Sequence, residues 1–200
     1  MKYKAVLFDL DGTLVDAVRL HEEAFIESVK EHTGIEISSN FHDNYLNGLS
    51  TKKKLRILED ISVDYYDKIF IRKQELTLKF IVEQIKEDKS KIELMDKLKQ
   101  EGYRIACVTN SIRASAELLL QYVGVSSYIE LLVSNEDVEK PKPSAEGYLK
   151  AISHFELEPT DCLVVEDNDF GVRAANNAGC SVYRVSNPQD VSWDNIKSQL

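Results

Sequence analysis

The sequence predicts an α/β protein: a parallel-sheet core interrupted after its first strand by an all-helical insertion. Three observations carry this. Short apolar runs at Ala5–Phe8, Ile105–Val108, Ile129–Val133, Cys162–Val165 and Val182–Val185 alternate with stretches of helical periodicity, the pattern of strand–helix–strand units. Between residues 17 and 86 the chain offers helical stretches and no convincing strand. A length of 200 residues supports one substantial core with a small appended domain, and hardly two full domains. The expected division is therefore a core from residues 1–16 and 87–200, with residues 17–86 as the inserted domain.

Each element follows from its local pattern. Leu20, Ala24, Phe25 and Val29 recur at helical spacing, with Glu22, Glu23, Glu27 and Lys30 as the polar face. Ile35 to Asn40 is a break, Phe41 to Leu46 a short helix, and Gly48 to Thr51 a turn that caps a helix beginning near Lys52. Leu55, Leu58 and Ile61 give that helix its apolar side, and a further helix runs from Asp64 towards Ile85. Ile92, Met95 and Leu98 mark the helix that Gly102 ends, and Ala114 to Tyr122 form the next, closed at Gly124. A proline-stiffened loop, Glu139 to Pro143, precedes a helix starting near Ser144. The last helix of the core, Gly171 to Ala178, is rich in small residues that let it approach a sheet closely. Trp193 reads as a packing anchor in the polar tail.

Composition excludes several classes of function. With 34 acidic against 25 basic residues the net charge is -9, which argues against nonspecific binding to nucleic acid or to an anionic membrane. No run of eighteen apolar residues occurs, and the start is too short in apolar residues for a signal peptide. Cys107, Cys162 and Cys180 are far apart, without zinc-like spacing, and are expected as reduced, buried thiols in a cytoplasmic protein. The basic cluster Lys52, Lys53, Lys54 and Arg56 reads either as a solvated helix face or as a clamp for an anionic group.

The most chemical stretch is Ala5 to Asp16, AVLFDLDGTLVD. A buried strand here delivers Asp9 and Asp11 to its C-terminal rim, and residues at i and i+2 share a face, so both carboxylates converge. Two like charges held that close require a cation or a shared proton. A second acidic pair, Glu166-Asp167, follows the apolar strand at Cys162–Val165, and Thr109-Asn110-Ser111 follows the strand at Ile105–Val108.

The nonamer FDLDGTLVD resembles the first motif of the haloacid dehalogenase superfamily of phosphotransferases, and three later motifs occur in that family's order. The resemblance covers the core from residue 3 to about 185 and implies a Rossmann-like parallel sheet with an inserted all-helical cap. Within the superfamily it points to the helical-cap branch of sugar-phosphate mutases and phosphoglycolate phosphatases. It implies Asp9 as the nucleophile that forms an aspartyl-phosphate and Asp11 as the general acid/base. Thr109 and the backbone around Asn110 would bind the phosphoryl group. Lys140, before Pro-x-Pro, would neutralise Asp9 and the phosphoryl oxygens, leaving Lys142 solvent-facing, with Lys142 as the only close substitute in a shifted register. Mg2+ would be held by Asp9, Asp11, Asp167 and Glu166, with the Leu10 carbonyl as a further ligand, while Asp169 orients the loop. In the cap, His21 and Lys52 would meet the substrate.

Two departures are visible. Thr51 stands in LNGLST where mutase-like members carry an arginine, and Ser90-Lys91 replaces a Pro-Gly pair before the first core helix. The resemblance thus implies a magnesium-dependent phosphatase of a small phosphorylated metabolite, possessing no nucleic-acid or membrane partner, as a monomer or weak dimer. A beta-phosphoglucomutase-like mutase and a non-catalytic phosphate-binding regulator are the alternatives.

Overall fold

The computed structural model describes residues 2–46 and 49–200. The chain separates into two compact units, Met1–Asp16 with Ile85–Leu200, and Ala17–Gln84. The first unit is built on a five-stranded parallel sheet of β1 (Ala5–Phe8), β2 (Arg104–Val108), β3 (Leu131–Val133), β4 (Cys162–Glu166) and β5 (Ser181–Arg184), in the order β3-β2-β1-β4-β5. β1 is central, pairing Phe8 with Cys107 on one side and with Val165 on the other. All four of its residues are buried, which is why AVLF reads as a continuous apolar run instead of an alternating one.

The register continues past the strand ends. The Asp9 N–H donates to the Val165 carbonyl at 3.0 Å, and the Thr109 N–H donates to the Val133 carbonyl at 2.9 Å. Both residues are thereby fixed at the same rim of the sheet.

The inserted unit carries α1 (Val18–Thr33), α2 (Ser39–Phe41), α3 (Thr51–Ile57) and α4 (Tyr66–Gln84). Its helices bury Phe25, Val29, Leu46, Leu55 and Ile69 in a shared core. α1 and α4 run antiparallel, tied by Arg72 to Glu31 at 2.6 and 3.0 Å and by Gln84 to Glu23 at 3.3 Å. The expected short helix at 41–46 differs in detail. Ser38 caps α2, and the chain then widens into a π-helical turn over His42–Leu46. Gly48, where the expected turn begins, and Asn47 beside it in the LNGLST segment lie outside the described residues.

Glu22 departs from its expected place on the polar face of α1: it is 3% exposed, with Arg19 donating to Oε2. Its Oε1 faces His42 Nδ1 at 3.9 Å, beyond hydrogen-bond distance. Lys54, 8% exposed, meets His42 Nε2 at 2.6 Å, whereas Lys52 is exposed. Burial, and then the Lys54 ammonium, hold the His42 pKa below its ordinary value, so the neutral ring accepts from Lys54 at Nε2.

Burial, reinforced by Lys73, pulls the Lys54 pKa down to about 8 from 10.5. Between these values the unfolded chain holds a proton that the folded chain gives up, so the Lys54 contribution to stability rises with pH across that window. The stability advantage of Lys54→Met over the wild type is expected to shrink from pH 8 to pH 10.5 by on the order of 3 kcal/mol. Urea denaturation at several pH values measures it, and a constant difference would refute the assignment.

In the first unit α5 (Lys89–Gln100) begins without the Pro-Gly pair because Asp88 caps it, accepting from the N–H groups of Ser90 and Lys91. α6 (Arg113–Val123) ends at Gly124 in the left-handed region, φ 90°, and a β-carbon there would lie 2.9 Å from Ile92. α7 (Glu146–His154) and α8 (Asp169–Ala178) contribute Tyr148, Ala151, Ala174 and Ala175 to a core with Leu7, Val108 and Val164. α9 (Trp193–Lys197) carries Trp193, half-buried with the ammonium groups of Lys97 and Lys197 at 5.6 and 5.7 Å from its ring. The three cysteines are free and buried. Among the described residues no helix is long and apolar enough to cross a membrane.

Candidate active site

The site forms where β1, β2 and β4 end. After Asp9 the chain turns tightly: the Leu10 carbonyl accepts from the N–H groups of Thr13, Leu14 and Val15, and Gly12 adopts φ 92° to donate to the Val15 carbonyl. This corrects one expectation. Three donors occupy the Leu10 carbonyl, which therefore serves the turn and not an ion.

Asp9 is 5% exposed and lies with Glu166 and Asp167, each offering a carboxylate oxygen within 4.8 Å of the others. Asp11, expected among these ligands, stands outside that trio. Its Oδ2 accepts from the Ser111 hydroxyl at 2.6 Å and the Thr109 hydroxyl at 3.3 Å. The i, i+2 rule for an extended strand fails here because the chain has already entered the turn. Asp167 Oδ1 accepts from Thr13 at 3.3 Å and from the Asn168 side chain at 3.1 Å.

The lysine of the site is Lys142, not Lys140. The three N–H donors of its ammonium meet Asp9 Oδ1 at 2.6 Å, Glu166 Oε1 at 2.6 Å and the Val108 carbonyl at 2.7 Å. Lys140 is exposed, and its backbone N–H donates to Glu146, as does that of Glu139. Lys-Pro occurs twice in succession, and the second copy lies nearer the start of α7, the spacing that could have identified it. The expectation of a solvent-facing Lys142 fails with it, since this side chain is 5% exposed.

Asn110 has an unforeseen part in this placement. Its side-chain oxygen accepts from the Lys142 N–H at 2.9 Å and its amide donates to the Lys142 carbonyl at 3.2 Å, clamping the loop at that residue.

Glu166 is wholly buried. Its Oε1 accepts from Lys142 and from the Tyr148 hydroxyl at 2.8 Å, and its Oε2 accepts from the Asp167 N–H at 3.2 Å and the Asn168 side chain at 3.3 Å. Gly171 leaves room for that carboxylate: a β-carbon there would fall 1.6 Å from Oε1. Asp169 is exposed and pairs with Arg184.

Electrostatically the site carries too much negative charge. Burial, then Glu166, Asp167 and Asp11, push the Asp9 pKa well above the carboxylate range, against the pull of Lys142. Burial and Glu166 also raise Asp167. Burial would lower Lys142, but Asp9, Tyr148 and Glu166 outweigh it and hold the ammonium protonated. Asp9 Oδ2 is buried without a hydrogen-bond partner. An unsatisfied carboxylate oxygen beside further carboxylates fits a hard divalent cation.

His21 Nδ1, in the inserted unit, lies 3.3 Å from the Lys73 ammonium. Beyond Lys142, the substitute for Lys140, the site takes in Tyr148, Ser111, Thr13 and Asn168, for which no local pattern distinguishes a site hydroxyl or amide from an ordinary cap or core residue.

Comparison with known proteins agrees with this architecture. A provisionally named pyrophosphatase PpaX from Caldanaerobacter subterraneus subsp. tengcongensis is 31% identical over 186 residues, spanning 90% of this chain and 80% of that protein. The crystal structure of CbbY from Rhodobacter sphaeroides in complex with phosphate has a TM-score of 0.82 at 24% identity, covering 91% of this chain and 85% of that one. Beta-phosphoglucomutase from Clostridium difficile has a TM-score of 0.82 at 22% identity, covering 98% and 96%. These two structures share the fold. Residues 6–185 match the model of the haloacid dehalogenase-like hydrolases, and with the five-stranded parallel sheet and its helices the chain belongs to that family.

Proposed function

We propose that the protein is a magnesium-dependent phosphatase of a small phosphorylated metabolite, acting through an aspartyl-phosphate on Asp9. The observation that carries the reading is the state of Asp9, with Oδ1 paired to a buried ammonium, Oδ2 buried and unpartnered, and the carboxylate grouped with those of Glu166 and Asp167. Asp9 and Asp167, backed by Glu166, are the groups that would hold Mg2+, which when bound screens the approach of a phosphate to a carboxylate and polarises the phosphoryl oxygens.

The chain's own residues then divide the reaction. An Asp9 oxygen forms a bond to phosphorus as the ester P–O bond breaks, and Asp11 gives its proton to the departing alkoxide. Asp11 next takes a proton from water as that water attacks phosphorus, the Asp9–phosphorus bond breaks, and phosphate leaves. Ser111 and Thr109 orient Asp11 for both transfers, and Lys142 offsets charge on Asp9 and on the phosphoryl group.

In this reading residues 1–16 and 87–200 are the catalytic core. Residues 17–86 are a cap that selects the remainder of the substrate, with His21 and Lys52 as its proposed contacts. Buried, unpaired cysteines support a cytoplasmic setting. The relative named as a pyrophosphatase favours inorganic pyrophosphate as a second substrate class.

Phosphate release from sugar phosphates, phosphoglycolate, nucleotides and pyrophosphate, with magnesium and with chelator, tests the reading. Release that needs magnesium and is confined to a few compounds is expected. Isomerised sugar phosphate without free phosphate would move the assignment to a mutase, and no turnover of either kind would overturn it in favour of a binding protein.

A further inference from the structure

Tyr148 is the first of the large, fully buried side chains by volume, set in the apolar core between α7 and the sheet. Packing there requires only a ring. A phenol hydroxyl in that setting is costly unless it is bonded, and its partner is Glu166 Oε1 at 2.8 Å. The face of the same ring lies 5.0 Å from the Lys142 ammonium. Tyr148 thus touches both members of the buried pair that supports Asp9 and Asp167, without being one of the groups assigned to substrate or metal.

We propose that Tyr148 is a positioning residue that sets the metal affinity of the site through Glu166, an inference that rests on the magnesium-dependent reading above. Lys142 is shared between two carboxylates, at 2.6 Å from each. The Tyr148 O–H supplies Glu166 Oε1 with a second donor, so the ammonium remains available to Asp9. Through its other oxygen Glu166 holds the N–H of Asp167 and the side chain of Asn168, which fixes where the Asp167 carboxylate stands. Removing the hydroxyl draws the ammonium towards Glu166, loosens the carboxylate, and lets Asp167 drift from Asp9.

The experiment is direct metal binding without substrate, by Mg2+ calorimetry and by the loss of the free Mn2+ electron paramagnetic resonance signal, on wild type, Tyr148→Phe, Glu166→Gln and the double variant. Tyr148→Phe keeps the ring and is expected to weaken the Kd about tenfold, the usual effect of losing a group behind a metal ligand. Added to Glu166→Gln, it is expected to change nothing further.

An unchanged Kd in Tyr148→Phe overturns the proposal, as does an equal loss in both backgrounds. A variant that does not reach the wild-type circular dichroism spectrum also overturns it, because the hydroxyl then serves the fold. A wild type that binds neither ion defeats the magnesium reading itself, which separates the two failures.

Discussion

Asp9→Asn is expected to abolish phosphate release, by more than about a thousandfold, because an amide oxygen cannot take up the phosphoryl group. The same change is expected to stabilise the protein in chelator. In the folded chain, burial and the neighbouring Glu166 raise the Asp9 pKa above its unfolded value. A raised folded pKa means that the stabilisation is complete below the unfolded pKa and is lost as pH climbs through the folded one. At neutral pH the burial of Asp9 therefore weighs against folding, and Asn removes the titrating group while retaining an acceptor for Lys142. The melting temperature of Asp9→Asn in chelator should exceed that of the wild type by roughly 2–4 °C. Magnesium should then raise the wild type more than the variant. Equal activity would remove Asp9 from the chemistry, and equal response to magnesium would remove it from the metal site.

The second large effect separates two lysines only two positions apart. Lys142→Met leaves Asp9 and Glu166 as adjacent buried carboxylates with no ammonium between them. Breaking a buried ion pair from one side costs about 3–5 kcal/mol. Hydrolysis should fall with it, since Asp9 loses the charge that orients it. Lys140→Met, on an exposed side chain whose backbone alone is engaged, should stay within about 0.5 kcal/mol of wild type and keep its activity. Urea denaturation together with phosphate release on the two variants decides between the registers. The opposite ranking would restore Lys140.

What could be read from the sequence depended on how local its cause was. Strand positions were legible because burial on both faces leaves apolar runs such as AVLF and CLVV, and the sheet follows from their alternation with helices. Asp9 and Thr109 stand at one rim because parallel strands end together, which makes the place of a strand-terminal residue readable from its strand.

The rest required contacts between distant segments. Choosing Lys142 over Lys140 depends on where α7 starts and on Asn110 gripping the loop, neither of which a Pro-x-Pro pattern contains. Glu22 reads as one more acid on a polar helix face, and only the packing of the His42 segment against α1 buries it. The role of the Leu10 carbonyl is hidden from the sequence because turn geometry, not residue type, decides what a backbone oxygen can accept.

The antiparallel pairing of α1 with α4 also bears on how the sheet can be completed. β1 must pair with β2 although residues 9 to 103 intervene. Closing a loop loses chain entropy with the logarithm of its length, about 0.6 kcal/mol for each doubling. Because Glu23 meets Gln84 and Glu31 meets Arg72, the inserted segment folds back on itself and returns the chain close to where it left. Once that helical pair has formed, the span to be closed entropically is only the short stretches on either side of it, so a long insertion lies within the first crossover at little cost to assembly of the sheet.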